Sequence, residues 1–394
     1  MFIAGCSSSR YVERKETYVP SKSLPIRVLL SDKNNSLSYV VEKPVMLLNQ
    51  TRVFALVKKG NLLNFSVNGE SLRLEIAGKI FTGNYFELKP QEADQFISYN
   101  GRRYRGYLKF VSNGSEVQAI NRVTLEDYLK GVVPAEMPVG QGDSYFQALK
   151  AFAICARTYT IMKYNGRQSY FDVYLDTRDQ VYGGADIEQP IADKAVDDTR
   201  SLILTYDGRP AKVFYHAACG GHTANARDVF GIKDAPYLDG VKDGDPPNCS
   251  IAPGFLWEED YPQSVFIDRL RTAGLLHDGN YKIKSAEVES RYKSGRVKVL
   301  AVNLISDDGT TSTVSLIGNN IRSVIRTADN IGILKSTMFN ISLKENDEVV
   351  ITGKGNGHGV GLCQWGAIHQ SIEGKSYSEI LSFYFPGTTV KELK

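Results

Sequence analysis

Apolar and polar residues alternate in short runs through the first third of the chain. Segments such as IRVLL, TRVFALV, LLNFSV and LRLEI lie between Leu24 and Ser112 and are separated by turn residues. Asn-Gly pairs at positions 68–69, 100–101 and 113–114 supply turn chemistry at hairpin-like spacing. The pattern predicts a β-rich N-terminal region.

A longer run with helical periodicity follows in SYFQALKAFAICARTYTIMKYNG. Its apolar side chains recur at intervals of three and four residues. Ser144 and Gln147 stand in the capping-box relation, which marks the start of a helix. The pattern predicts a helix from about 144 to 163.

Two further β-rich segments lie beyond this helix. SLILTYDG and AKVFYHAACGG predict a hairpin joined at Asp207-Gly208, and residues 284–351 alternate again in short runs. This mixture predicts an α+β fold, with β-rich lobes packed around a helix-containing core and a cleft between the lobes. The predicted segments are a start and flexible tether at 1–25, an N-terminal β-rich region at 26–115, and a core at 116–394 with a β-rich inserted lobe at about 262–345.

Size and charge narrow the function classes. The chain has 394 residues, enough for two or three domains, and its 42% hydrophobic and 23% charged residues are typical of globular proteins. The net charge is only +3 and no run of five like charges occurs, so we expect no nucleic-acid partner. No uninterrupted apolar stretch is long enough to predict a membrane span.

Cys6 gives an indication of location. It ends a short apolar run, Ile-Ala-Gly-Cys, and a polar stretch follows it. This arrangement resembles the lipobox of a bacterial lipoprotein, whose cysteine is lipidated after signal cleavage. Only five residues precede Cys6, so we expect a truncated or miscalled start. The expected location is extracytoplasmic, with a lipid as the sole membrane anchor; the alternative is a cytoplasmic protein that begins with apolar residues by chance.

The segments HAACGGH and DPPNCS contain residue types that bind zinc. His216, Cys219 and His222 lie close in sequence, and Cys249 follows thirty residues after Cys219. The spacing matches no standard zinc finger, so a Cys219–Cys249 disulfide and unpaired thiols stay open as alternatives. A cysteine nucleophile is disfavoured, because residues 216 and 219 point to opposite faces of a strand.

Glu136 stands alone between two prolines in VVPAEMPVG. A carboxyl group held in so stiff a frame is a candidate general acid if burial raises its pKa. Lys150 and Arg157 lie on one stripe of the predicted helix, two turns apart. We expect these cations to act in the opposite direction and keep Glu136 ionised. On spacing alone, the simpler interpretations are that the two cations pair with carboxylates or extend to solvent, and that Glu136 is a loop glutamate in a salt bridge.

Several of these motifs, taken in order, resemble one known family. The matching stretches run from about Tyr104 to Thr388 and include NRVTLEDYLKGVVPAEMP, ALKAFAICARTYT, DTRDQVYGG, FYHAACGGHTANARDVFG, LKSTMF and GNGHGVGLCQWGA. Six motifs in one order are specific, although each alone would be weak. The chain is similar to the sporulation protein D and amidase-enhancer family, SpoIID/LytB.

The resemblance implies a peptidoglycan lytic transglycosylase with Glu136 as its catalytic acid. Glu136 would protonate the glycosidic oxygen between N-acetylmuramic acid and N-acetylglucosamine, and then take the proton from the muramic C6 hydroxyl as it closes on C1. The product would carry a 1,6-anhydro ring. Because water is not the nucleophile, the second carboxylate of an ordinary glycosidase is not required. One group can act first as acid and then as base.

The resemblance also implies a surface that binds sugar or supports Glu136. Its expected members are aromatic, polar and cationic side chains of the matched motifs: Lys150, Arg157, Tyr159, Tyr182, Tyr215, His358, Gln364 and Trp365. The family's Ser-Gln-Tyr is Cys-Gln-Trp here, which still offers an aromatic platform. No cofactor is required, but zinc is associated with some relatives near the Gly-Gly motif. The candidate ligands of a structural zinc ion are therefore His216, Cys219, His222 and Cys249.

Two hypotheses from different classes follow. The first is a lipid-anchored enzyme that cleaves peptidoglycan glycan strands, with a preference for peptide-free glycan left open. The second is a non-catalytic wall-binding protein that stimulates a separate N-acetylmuramoyl-L-alanine amidase. The intact motif around Glu136 favours the first.

Overall fold

The structure is a computed structural model that describes residues 24–49, 52–92, 94–140, 142–164, 169–345 and 347–393. The predicted lipidation at Cys6, and nearly all of the predicted tether, lie outside these residues. The described part combines several sheets with helices, which confirms the predicted α+β class. None of its helices is long and apolar enough to cross a membrane.

Strands dominate the chain before residue 125. The strands of this region, and one later strand that joins them, are β1 (Pro25–Asn34), β2 (Ser36–Val40), β3 (Val45–Asn49), β4 (Arg52–Val57), β5 (Leu62–Asn68), β6 (Ser71–Ile76), β7 (Lys79–Gly83), β8 (Tyr85–Pro90), β9 (Ile97–Tyr99), β10 (Arg102–Tyr104), β11 (Tyr107–Ser112), β12 (Val117–Thr124) and β13 (Val173–Tyr174).

These strands form two main sheets that share a core. One sheet has the order β13-β1-β12-β11-β8-β3-β4, and the other has the order β2-β5-β6-β7. Phe65 of β5 stacks on Phe110 of β11, with ring centroids 4.2 Å apart. Both rings are fully buried, so the contact joins the two sheets through apolar packing.

Helix α1 (Leu125–Glu136) follows β12 directly and was not predicted from the sequence. Thr124 caps its start by accepting a hydrogen bond from the Asp127 N–H at 3.2 Å. The helix ends before Met137, which is extended because a proline follows it. Glu136 is therefore the last residue of a helix and not part of a loop.

Helix α2 (Phe146–Lys163) matches the predicted helix and begins two residues after the predicted start at about 144. A 3₁₀ turn at Gly142–Tyr145 precedes it, and the N-cap residue Tyr145 makes no side-chain capping bond. The Gln147 side chain instead accepts a hydrogen bond from the Tyr377 N–H at 3.1 Å, so the expected capping box is not formed.

The rest of the chain alternates short strands and helices. Its elements are α3 (Pro190–Asp198), β14 (Leu202–Tyr206), β15 (Arg209–Pro210), β16 (Tyr215–His216), α4 (Ala226–Phe230), β17 (Leu256–Pro262), α5 (Gln263–Thr272), β18 (Tyr281–Arg291), β19 (Val297–Ser306), β20 (Thr311–Ile317), α6 (Ile321–Ile325), β21 (Phe339–Leu343), β22 (Glu348–Lys354), β23 (Leu362–Cys363), α7 (Gln364–Ile372), α8 (Tyr377–Tyr384) and β24 (Thr389–Glu392).

The predicted hairpin at Asp207-Gly208 is present, but its second strand is short. β14 pairs with β15 around a two-residue turn, in which both residues have positive φ as a type I′ turn requires. The chain then leaves this sheet. The next strand, β16, pairs in parallel with β23 far along the sequence.

Buried apolar side chains divide into two principal clusters. The larger one contains residues from the N-terminal sheets, α1, α2, α3 and the C-terminal helices. The second contains residues between Trp257 and Ile351, from β17–β22 and the helices among them. The predicted cleft between lobes and the predicted domain limits stay predictions.

Arg157 of α2 is fully buried inside the larger core. Its guanidinium pairs with Glu126 of α1, with Nη2–Oε2 at 2.7 Å and Nε–Oε1 at 3.0 Å. It also donates to the carbonyls of Val196 at 3.2 Å and Leu202 at 3.1 Å. The prediction that Arg157 binds substrate is therefore wrong, because no part of its side chain reaches the surface. It holds α1 and α3 against α2.

We expect Arg157→Met to lower the free energy of unfolding by about 3–5 kcal/mol, since it leaves the buried Glu126 carboxylate without a cationic partner. Urea denaturation followed by circular dichroism measures this loss. Lys194→Met is the matched control, because Lys194 forms an exposed pair with Asp198 and should cost no more than about 1 kcal/mol. Equal losses in the two variants would contradict a structural role for the buried pair.

Candidate active site

The Glu136 carboxyl lies at the end of α1 and is half-buried. Its Oε1 accepts a hydrogen bond from the Val181 N–H at 2.6 Å. Burial raises the pKa of this carboxyl above its usual range, while the Val181 N–H and the Tyr215 hydroxyl, which favour the charged form, offset part of the rise. Among the described residues, no second carboxylate contributes to this shift.

The two cations of α2 do not keep Glu136 ionised, so that expectation is wrong. The Lys150 Nζ pairs with Asp198 Oδ2 of α3 at 2.9 Å and lies 4.6 Å from the centroid of the Phe146 ring. Arg157 is bound to Glu126, as described above. Since both charges are used by other groups, burial dominates at Glu136. The role of Lys150 in substrate binding stays a prediction.

A short parallel pairing brings two predicted residues to Glu136. β16 pairs with β23 through Tyr215–Leu362 and His216–Cys363. Gln364 follows β23 immediately, and its Nε2 donates to the Glu136 carbonyl at 2.8 Å. The hydroxyl of Tyr215, on the neighbouring strand, lowers the pKa of the Glu136 carboxyl. The family resemblance assigned Tyr215 and Gln364 to one surface, and the β16–β23 pairing explains why both lie at Glu136.

Tyr215 is the aromatic side chain that faces the Glu136 carboxyl. Its hydroxyl is buried and has no well-formed hydrogen bond, although it is near enough to lower the Glu136 pKa. Phe152 packs edge-on against its ring, with centroids 4.8 Å apart, and the Tyr159 ring lies at 6.5 Å. These contacts hold the Tyr215 ring in place beside the acid.

Residues 179–181 support Glu136 and were missed as site residues. Asp179 accepts hydrogen bonds from the Tyr159 hydroxyl and the Tyr174 N–H, both at 2.8 Å. Gln180 is buried, and its Oε1 accepts from the Thr160 hydroxyl at 2.8 Å. This framework aims the Val181 N–H at Glu136. The sequence signal for these residues is the motif DTRDQVYGG, of which only Tyr182 was predicted as a site residue.

That tyrosine, Tyr182, does not line a binding surface, so its predicted role in substrate binding is wrong. It is fully buried, and its hydroxyl donates to Asn121 Oδ1 at 3.0 Å. Its ring lies against Gly131 of α1, where an added Cβ would come within 2.5 Å of it. Tyr182 therefore positions α1 by close packing.

The glycine loop at 353–361 turns His358 toward the interior. The His358 Nδ1 accepts a hydrogen bond from the Val360 N–H at 3.0 Å, and its ring packs 5.1 Å from Phe230 and 5.6 Å from His216. Burial and nearby cations lower the pKa of His358 well below its usual range. His358 is half-buried, and its contact with substrate stays a prediction.

Trp365 and Tyr159 are predicted aromatic residues that keep some solvent exposure and lie near Gln364 and Tyr215, respectively. Trp365 is half-buried against the larger core, and its backbone N–H donates to the Ala217 carbonyl at 3.0 Å. Tyr159 is also half-buried. Their contact with a sugar stays a prediction.

The predicted metal residues separate into two groups. Cys219 and Cys249 are free thiols with Sγ atoms 3.5 Å apart, so the alternative disulfide is not formed. His216 instead bonds the Val360 carbonyl through Nδ1 at 3.1 Å, and His222 bonds the Thr223 carbonyl at 2.7 Å. Among the described residues, neither histidine belongs to the group that could hold a metal ion, and their role as ligands stays a prediction.

The group that could hold a metal ion contains Asp243 and Cys363 instead of His216 and His222. Their ligand atoms, with those of Cys219 and Cys249, all lie within 4.8 Å of one another. No sequence spacing pointed to this set, because the four residues come from three separate segments. Cys363 had been noted only as a departure from the family's serine.

Comparison with known proteins agrees with the motif resemblance. The family model of the stage II sporulation protein SpoIID matches residues 113–206, and a domain of unknown function matches residues 248–361. An uncharacterized protein of Brachyspira hyodysenteriae is 34% identical over 303 residues, which cover 76% of this chain and 75% of that protein.

Two relatives from Bacillus subtilis have descriptive names. The amidase enhancer is 30% identical over 381 residues, 84% of this chain, although the match covers only half of the longer relative. Stage II sporulation protein D is 27% identical over 292 residues, 70% of this chain and 76% of the relative. The SpoIID match spans α1, α2 and the segment that holds Glu136. The chain therefore belongs to the SpoIID/LytB family of stage II sporulation protein D and amidase enhancer.

Proposed function

We propose that this protein is a peptidoglycan lytic transglycosylase in which Glu136 is the general acid and base. The observation that carries the proposal is a single half-buried carboxyl whose pKa is raised by burial and whose charged form has two stabilising partners. A raised pKa lets such a group keep its proton to higher pH than an exposed carboxyl does, and the two partners stabilise the negative charge after it gives the proton up.

The proton and bond changes balance at this one group. Glu136 gives its proton to the glycosidic oxygen as the bond from that oxygen to C1 of N-acetylmuramic acid breaks. The C6 oxygen then bonds to C1, and its proton returns to Glu136. The products are a free hydroxyl on the leaving sugar and a 1,6-anhydro ring, with no water consumed. A second carboxylate to activate water is unnecessary for this reaction.

Val181 and Tyr215 stabilise the intermediate state of the acid. After proton transfer, the Val181 N–H and the Tyr215 hydroxyl both favour the Glu136 carboxylate. The Val181 donor is fixed by the 179–181 framework, so it requires no rearrangement during the reaction. Gln364 fixes the Glu136 backbone through the carbonyl.

The substrate in this proposal is the glycan strand of peptidoglycan. Trp365 and Tyr159 are half-buried aromatic side chains available to contact sugar rings, and Lys150 on α2, paired with Asp198, is a further predicted contact. Lipidation of Cys6 and an extracytoplasmic location belong to the same proposal. They agree with the cell-wall themes of the relatives' names, stage II sporulation protein D and amidase enhancer.

A second candidate function is stimulation of a cell-wall amidase without catalysis. The relative named amidase enhancer favours it, at 30% identity over most of this chain. The two functions differ at Glu136, because a binding protein does not need a proton donor there.

We expect Glu136→Gln to reduce turnover by a factor of about 10²–10⁴, because an amide cannot donate or return the proton. Wild-type and variant proteins are incubated with intact and with peptide-free glycan strands, and anhydromuramic ends are counted by mass spectrometry. Glu287→Gln, an exposed change on β18, should leave turnover unchanged. Wild-type protein that yields no product from either glycan would contradict the enzyme proposal. Release of stem peptides by an added amidase would then test the second function.

We expect Tyr215→Phe to move the alkaline fall of the reaction rate to higher pH. The acid must be protonated to start the reaction, so the rate falls as pH rises through the Glu136 pKa. The Tyr215 hydroxyl lowers that pKa, and its removal raises the pKa further. The pH profile of kcat for anhydromuramic product measures the shift. Tyr281→Phe, in the second core cluster, should leave the profile in place, and an unmoved profile in Tyr215→Phe would remove Tyr215 from the site.

A further inference from the structure

A buried group of three thiols and one carboxylate lies beside the segments that hold Glu136. Cys219 follows β16, Cys363 ends β23, and Asp243 and Cys249 lie on the connection between α4 and β17. All four residues are buried, and their ligand atoms lie within 4.8 Å of one another. Buried groups of this kind bear charge only when they are paired or bind a metal.

We propose that Cys219, Asp243, Cys249 and Cys363 bind one structural zinc ion. Tetrahedral zinc has sulfur ligands at about 2.3 Å, which places neighbouring ligand atoms about 3.8 Å apart. Two of the observed separations are slightly shorter than that value, and none exceeds it by more than about 1 Å. The Cys219 Sγ lies 3.5 Å from the Cys249 Sγ and 3.2 Å from Asp243 Oδ2, and all the ligand atoms stay within 4.8 Å.

The surroundings of the four residues suit a metal centre. The Tyr384 hydroxyl donates to Asp243 Oδ1 at 2.6 Å, which leaves Oδ2 directed at the thiols. The backbone N–H of Cys219 points at the Cys363 Sγ at 3.2 Å, and the Gly221 N–H points at the Cys219 Sγ at 3.3 Å. Donors of this kind orient ligands and stabilise thiolates around zinc.

A buried arginine provides an independent observation that indicates negative charge. Arg296 is 1% exposed, and its Nη2 donates to the Cys219 carbonyl at 2.6 Å. Its Nε and Nη1 have no hydrogen-bond partner among the described residues, yet it interacts electrostatically with all three cysteines. Three thiolates and one carboxylate carry four negative charges, of which zinc neutralises two. A buried cation against the remaining charge avoids a large desolvation cost.

Four protein ligands make this a closed site, which is typical of structural zinc and not of catalytic zinc. A disulfide between Cys219 and Cys249 would use two thiols and leave Cys363 and the Asp243 carboxylate buried together without a metal ion to bind. The metal accounts for all four residues at once. It would tie three chain segments together where β16 meets β23.

The proposed zinc also bears on the geometry of Glu136. Cys363 directly precedes Gln364, whose side chain holds the Glu136 carbonyl. Loss of the metal should therefore loosen the support of the acid. This consequence rests on the proposed function, whereas metal binding itself does not.

The first experiment uses the full wild-type chain and a readout that does not depend on activity. Metal content of the purified protein is measured by inductively coupled plasma mass spectrometry, with about one zinc ion per chain expected. After removal of zinc with a chelator, Co²⁺ is added and the absorption spectrum is recorded. Intense thiolate-to-cobalt charge-transfer bands and tetrahedral d–d bands are expected. Their absence, or a spectrum of oxygen ligands alone, overturns the proposal.

Variants then identify the ligands. Cys363→Ser and Asp243→Asn should each weaken zinc retention against a competing chelator, while Cys155→Ala should retain zinc as wild type does. Cys155 is the matched control, since it is a buried thiol of α2 outside the group. Mass spectrometry after thiol alkylation without reductant adds a separate criterion. A Cys219–Cys249 disulfide in metal-free protein taken directly from cells would overturn the proposal even if the variants fail to fold.

Discussion

The parallel pairing of β16 with β23 is the constraint on which the candidate site depends. It joins only two residues from each strand, Tyr215 with Leu362 and His216 with Cys363. One strand supplies the hydroxyl that faces Glu136, and the residue after the other strand holds the Glu136 carbonyl. So short a ladder contributes few hydrogen bonds, and contacts over such sequence separation are entropically expensive to form. Its stability must come from the surrounding packing, where both Leu362 and Cys363 are fully buried.

The chemistry at Glu136 is a balance between desolvation and compensation. Burial alone disfavours the carboxylate, and a fully compensated carboxylate could not hold a proton near neutral pH. Two partners compensate in part, and the nearest cations of α2 are paired elsewhere, Lys150 with Asp198 and Arg157 with Glu126. The ion pairs of α2 therefore have two effects. They hold neighbouring helices together, and they bind the Lys150 and Arg157 cations to carboxylates other than Glu136. This arrangement is the physical counterpart of a motif with one glutamate between two prolines.

The sequence predicted local features well and long-range partnerships poorly. The α2 helix and the Asp207-Gly208 hairpin followed from periodicity and turn chemistry, which depend on neighbouring residues. Helix α1 was missed although Thr124 and Asp127 form a capping signal, because the proline inside it suggested a loop. The burial of Arg157 could not be read from a helical stripe, since its carboxylate partner lies 31 residues earlier. Family resemblance identified residues that matter and did not distinguish contact with substrate from support of the fold.

The cysteine group is the clearest example of a long-range contact that the sequence did not predict. Cys219 and Cys249 were recognised from residue type, but Cys363 is 144 residues from Cys219 and meets it only through the β16–β23 pairing. Arg296 arrives from the turn before β19, in a region with its own core, and is fully buried against the Cys219 carbonyl. A cation with two unbonded nitrogens is costly there unless negative charge faces it. The second core cluster is thereby joined electrostatically to the segments that position the acid.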